Sequence, residues 1–159
     1  MDKSKMKSKT EVELSYKIIK IQTAKFAHQE IEENHFNTLL ASNDELSVNM
    51  NLNLNIDKEK SSISVDVTTS LIEKKSELIL IEHTGRTIYN IKGLEKIYTS
   101  ENDTFEIPDG LLIQLYSMAY THSRALLAVE LSPTMYKDNY FLPVVNPEMF
   151  IKKQNPDSN

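Results

Sequence analysis

The chain contains no cysteine, only three glycines, and no excess of positive charge. Without cysteine there are no disulfides and no thiolate chemistry, and a zinc site would have to rely on histidine and carboxylate alone. His28, His35, His83 and His122 are too scattered to make a metal-ligand spacing. Three glycines are too few for a phosphate-cradling loop, and neither GxGxxG nor GxxxxGK followed by Ser or Thr occurs. The net charge of -5 argues against a nucleic-acid partner, which selects for clustered positive charge. No stretch approaches the apolar length of a membrane span. MDKSKMKSKT, with Lys3, Lys5, Lys7 and Lys9, is followed by the polar EVELSYK and not by the apolar run of a secretory leader. These absences predict a cytoplasmic protein without cofactor, metal or membrane insertion, with residues 1–10 as a flexible basic tail.

At 159 residues, 40% apolar and 26% charged, the chain fits one domain over residues 11–151, with 152–159 a polar, disordered tail. Its plainest pattern is SVNMNLNLNI. Val48, Met50, Leu52, Leu54 and Ile56 alternate with Ser47, Asn49, Asn51, Asn53 and Asn55, which predicts a half-buried strand. Asn is depleted in strands, so burial of the apolar face must override local propensity. YKIIKIQTAKF is a second strand whose apolar phase changes at Ile18 and Ile19, as a bulge would require. SISVDVTTSL sets Ile63, Val65, Val67 and Leu71 on one face, and LILIEHTGRTIYNI makes a fourth strand with an expected bend at Thr84 and Gly85. The short polar links DKEKSS and IEKKSE favour antiparallel pairing, and Glu32 with Glu33 reads as a solvated turn.

IPDGLLIQLYSMAYTHSRALLAVEL then predicts one long helix, starting at Pro108 and Asp109 and ending before Pro133. Gln114, Ser117, Thr121 and Arg124 form a narrow polar stripe, and most of the remaining surface is apolar. A helix this apolar needs more cover than one sheet face gives, so Leu112, Tyr116, Ala119 and Leu126 are expected at an interface with another subunit. His122 reads as a core or interface residue, and it cannot activate Ser123, because adjacent helix residues point about 100° apart. Beyond the helix, Tyr136, Tyr140 and Phe141 lie in a proline-punctuated segment without period. They either pack as a satellite core or line an exposed binding groove.

The order of four antiparallel strands, one long helix, and a crossover ending in an Asn-Pro helix start resembles the SecB family of export chaperones. SISVDVTTSL with LILIEHTGRTIYNIKGLE is similar to that family's third and fourth strands, PDGLLIQLYSMAYTHSRALL to the start of its long helix, and FLPVVNPEMF to the element opening its last helix. The likeness spans Ser47 to Ile151, with a weaker match over Tyr16 to Phe26. It implies an α+β fold with a four-stranded antiparallel sheet, a long helix, a crossover loop and a short C-terminal helix. It also implies a homotetramer, a dimer of dimers, that holds unfolded polypeptides without ATP. Client grooves near the crossover and last helix would use Tyr136, Tyr140, Phe141, Val144, Met149 and Phe150. The family's SecA-binding sheet surface maps onto Leu80 and Glu82, but its first-strand acids fall on Thr23 and Ala27, which removes half of that charge. That loss suits SecB-like proteins dedicated to one partner, such as an antitoxin. A hot-dog-type enzyme also wraps a long helix in an antiparallel sheet, but there the helix follows the first strand and not the fourth.

Overall fold

The computed structural model describes residues 12–42 and 44–152. The chain runs β1 (Ser15–His28), α1 (Glu33–Ala41), β2 (Leu46–Asp57), β3 (Ser62–Glu73), β4 (Leu78–Lys92), a 3-10 turn (Leu94–Ile97), β5 (Tyr98–Thr99), β6 (Thr104–Phe105), α2 (Asp109–Leu131) and α3 (Met149–Lys152). The expected basic tail and the C-terminal tail after Lys152 lie outside the described residues.

The alternating asparagine strand is β2, unbroken in register along its whole pairing with β3. β1 to β4 form one sheet in the order β1-β4-β3-β2, every neighbour antiparallel, so β1 and β2 are its edges. One face carries Ile63, Val65, Val67, Leu71, Ile81, Tyr89 and Ile91, all buried, and α2 closes over it with Leu115, Tyr116, Ala119, Leu127 and Leu131. The opposite face holds Asn49, Asn51, Asn53 and Asn55, all exposed, opposite Ser70, Thr68, Asp66 and Ser64 of β3. The sheet thus has one dry and one wet side, as its period-two patterning requires.

Local details add to the sequence reading. The bulge at Ile19 is present, and a second irregularity follows between Thr23 and Lys25, opposite Gly85 and Thr84. β4 continues through Gly85 as one strand. A Cβ there would lie 2.7 Å from Ser123 Oγ, so the glycine lets α2 approach the sheet. Glu32 and Glu33 are no turn: Glu32 stands at the N-terminal boundary of α1 and Glu33 occupies its first turn, where a negative charge suits the helix dipole. Phe36 and Leu39 of α1 are buried, a spacing of three that marks one helical face. No helix among the described residues is long and apolar enough to cross a membrane.

Candidate functional site

The crossover, residues 132–148, is tied down at one end by aromatic rings. Tyr136 is fully buried; its hydroxyl donates to the Gln29 carbonyl, and its ring stands edge-on to Phe36 with centroids 4.9 Å apart. At the far end Phe150 is buried against Tyr120 (5.7 Å) and Tyr116 (6.2 Å). Between them α2 holds the crossover backbone directly. Arg124 Nε donates to the Leu142 carbonyl at 3.1 Å, and the Tyr120 hydroxyl donates to the Pro143 carbonyl at 2.5 Å. The polar stripe of α2 is therefore the seat of the crossover: Ser117, Thr121 and Arg124 line a shallow groove of about 80 Å³ opposite Val144, Val145 and Pro147.

This arrangement divides the six expected client residues. Tyr136 and Phe150 are structural, because each side chain is enclosed by the core. Tyr140 is half-buried and packs on that core; its hydroxyl is enclosed with no hydrogen-bond partner among the described residues. Burial, with the Tyr120 hydroxyl alongside, pushes its pKa up to about 12, so it stays a neutral phenol. Phe141, Val144 and Met149 point outward, at 63%, 81% and 45% exposure. These are large apolar side chains left in water on, and just after, a backbone that is itself anchored.

The expected partner face of the sheet is also rearranged. A bulge in β4 pairs Leu71 with Ile81 but Ile72 with Ile79, which turns Leu80 inward, where it is fully buried. Ile79, exposed at 45%, takes the outer position beside Glu82, in an open groove with Ala27, His28 and Gln29. Thr23 is not on that face. It lies opposite Gly85, and its Oγ1 is 3.3 Å from His83 Nε2 beneath the sheet. Glu82 is the one acid among the four mapped positions, and Lys25 pairs with it at 2.8 Å. Leu80 and Glu82, matched through the resemblance, would share a face in a regular strand; the bulge separates them and sets Ile79 beside Glu82 instead.

Of the expected interface residues, Tyr116 and Ala119 are buried within the chain itself, against the sheet and α3, so neither is open to another subunit. Leu112 and Leu126 remain half-exposed, and Val129, not singled out before, is 71% exposed. His122 and Ser123 diverge as adjacent helical residues must: His122 Nδ1 meets Thr87 Oγ1 at 3.0 Å, and Ser123 Oγ meets His83 Nδ1 at 3.4 Å. Burial holds both imidazoles below their ordinary pKa, and Glu130 partly opposes this at His83. No cluster of three metal-binding side chains occurs among the described residues.

No family model and no curated protein matches the sequence. Among solved structures, the chain is similar to a Mycobacterium tuberculosis SecB-like chaperone in complex with a ChAD peptide from the HigA1 antitoxin, at a TM-score of 0.51 and 9% identity, covering 82% of this chain and 88% of that one. It is also similar to a protein of unknown function from Streptococcus agalactiae, at a TM-score of 0.42 and 10% identity, covering 84% and 99% of the two chains. At such identity the first likeness is one of architecture. The strand order, the long helix after β4 and the short helix closing the crossover make this a SecB-like fold.

Proposed function

We propose that this protein is an ATP-independent chaperone that holds extended, unfolded polypeptide against the outward side of the crossover. The observation that carries the reading is the exposure of Phe141, Val144 and Met149 on a segment whose backbone is fixed to α2 through Arg124 and Tyr120. Anchored apolar side chains bind sequence-tolerantly, since burial of area is non-directional. The SecB-like fold supports the same reading, and the M. tuberculosis structure of that fold holds a polypeptide segment from an antitoxin.

Association with further copies belongs to the same reading, because Ile18, Ile19, Ile21 and Val129 are left exposed on β1 and α2. The outer sheet face is a poor SecA surface, with Glu82 its one mapped acid and that acid paired to Lys25. A role dedicated to one partner, such as an antitoxin, is therefore the second reading.

Delay of client aggregation tests the proposal. The wild type suppresses light scattering of a denatured client near stoichiometry. Phe141→Ser with Val144→Ser weakens client binding about tenfold while leaving the melting temperature unchanged, as aromatic and aliphatic anchors carry much of an interface's energy. Suppression that is equal in the double variant would refute this surface. Suppression confined to one client among several would select the dedicated reading.

A further inference from the structure

The wet face of the sheet is segregated by charge. Read across the pairing, Ser15 faces Lys92, Lys17 faces Asn90, and Lys20 faces Ile88 and then Ser64 and Asn55. The acids of this face are already engaged: Asp66 accepts from Arg86 at 2.7 and 2.6 Å, Glu82 from Lys25 at 2.8 Å, and Asp57, in one row with Ser62, Asn90 and Lys17, pairs with Lys60 at 3.3 Å. Lys17, Lys20 and Lys92 are exposed and form no ion pair among the described residues. Glu13, two residues before β1, pairs with none of them. Three uncompensated cations thus adjoin at one corner of a chain whose net charge is -5. The sequence continues the same sign, since Lys3, Lys5, Lys7 and Lys9 precede β1, whose first residue lies in this corner.

Lysine on an edge strand blunts unwanted strand pairing, and that accounts for Lys17 and Lys20. It does not account for Lys92, which is on the interior strand β4, or for the other edge, β2, which has no lysine. We propose that this corner docks an acidic segment of a partner polypeptide. The net negative charge of the chain repels long polyanions such as nucleic acid, whereas a short acidic segment meets only the corner. The adjoining Asn55, Asn90 and Ser64 offer uncharged hydrogen-bonding groups beside it. Lys17, Lys20 and Lys92 project to the face opposite α2, so the corner stays open when apolar residues of the α2 side are covered. The proposal does not depend on the client-holding reading.

Fluorescence anisotropy of a short labelled poly-glutamate peptide with the full chain tests it, alongside a single-stranded oligonucleotide and phosphatidylserine vesicles. Individual exposed pairs are weak, so the lysines act together and binding falls as salt rises. Lys17→Glu with Lys20→Glu and Lys92→Glu weakens peptide binding by about tenfold or more. Lys74→Glu with Lys75→Glu and Lys137→Glu, an equal charge change at exposed positions elsewhere, leaves it within about twofold. Should the first variant fold poorly by circular dichroism, the three corner lysines changed to Gln serve the same comparison. Absence of peptide binding by the wild type, equal loss in both triple variants, or tighter binding of the oligonucleotide or vesicles would overturn the proposal.

Discussion

His83 is fully buried between the sheet and α2, with Thr23 on one ring nitrogen and Ser123 on the other, and Phe26 against its ring. Two hydroxyls solvate a neutral imidazole well; they offer a charged one no counter-ion in contact. Its folded pKa therefore lies below the ordinary 6.5, for which desolvation is the first cause. The sign follows from linkage. A depressed folded pKa means that the unfolded chain takes up the proton first, so the stability from neutral His83 is complete above about pH 6.5 and is lost as pH falls through the folded value. His122, also depressed by burial, adds in the same direction. Urea midpoints should fall between about pH 7.5 and about pH 5.5, and His83→Gln should flatten that slope. An unchanged slope in the variant would assign the pH dependence to other groups.

Among the elements, the tightest meeting is that of β4 with α2 at Gly85. A methyl group there would stand 2.7 Å from Ser123 Oγ and 3.0 Å from Ser123 Cα, and helix backbone cannot rotate out of the way. Gly85→Ala should cost about 1–3 kcal/mol, the range for overpacking, and lower the thermal midpoint accordingly. Gly110, whose added Cβ would meet nothing within 4 Å, is the control, and Gly110→Ala should leave the midpoint unchanged or raise it. The strands were legible because period two survives in SVNMNLNLNI and SISVDVTTSL, where Met50, Leu52, Leu54 and Ile56 pack on the core and Ile63, Val65, Val67 and Leu71 are buried in it. The close approach at Gly85 was not legible because a bend calls for the same residue. α1 was missed although Phe36, Leu39 and Leu40 carry helical spacing, since nine residues give a weak pattern and tertiary burial supplies the rest. In the crossover, aromatic composition alone does not separate Tyr136 from Phe141. Tyr136 is drawn inward by Gln29 and Phe36, which are about a hundred residues away.

For the whole molecule, the apolar surface left open is uneven. Ile18, Ile19 and Ile21 on β1 and Val129 on α2 are exposed, and Leu112 and Leu126 on α2 are only partly covered. At about 25 cal/mol per Å², removing even a few hundred Å² of such surface from water is worth several kcal/mol. Light scattering should show a dimer or larger species at micromolar concentration. Ile18→Lys with Ile21→Lys should shift it toward monomer while near-native circular dichroism is kept. A monomeric wild type would contradict this.

The placement of β1 at the sheet edge beside β4 also sets a timetable for biosynthesis. β2, β3 and β4 follow one another through short turns, but β1 emerges from the ribosome first and finds its partner only when β4 is complete at Lys92. At about 5–20 residues per second, a strand carrying three exposed isoleucines spends several seconds unpaired. Lys17, Lys20 and Lys25 interrupt that stretch with charge, as gatekeepers against nascent-chain aggregation. Exchanging them for threonine should therefore reduce the soluble yield during rapid expression more than it alters the stability of the finished protein.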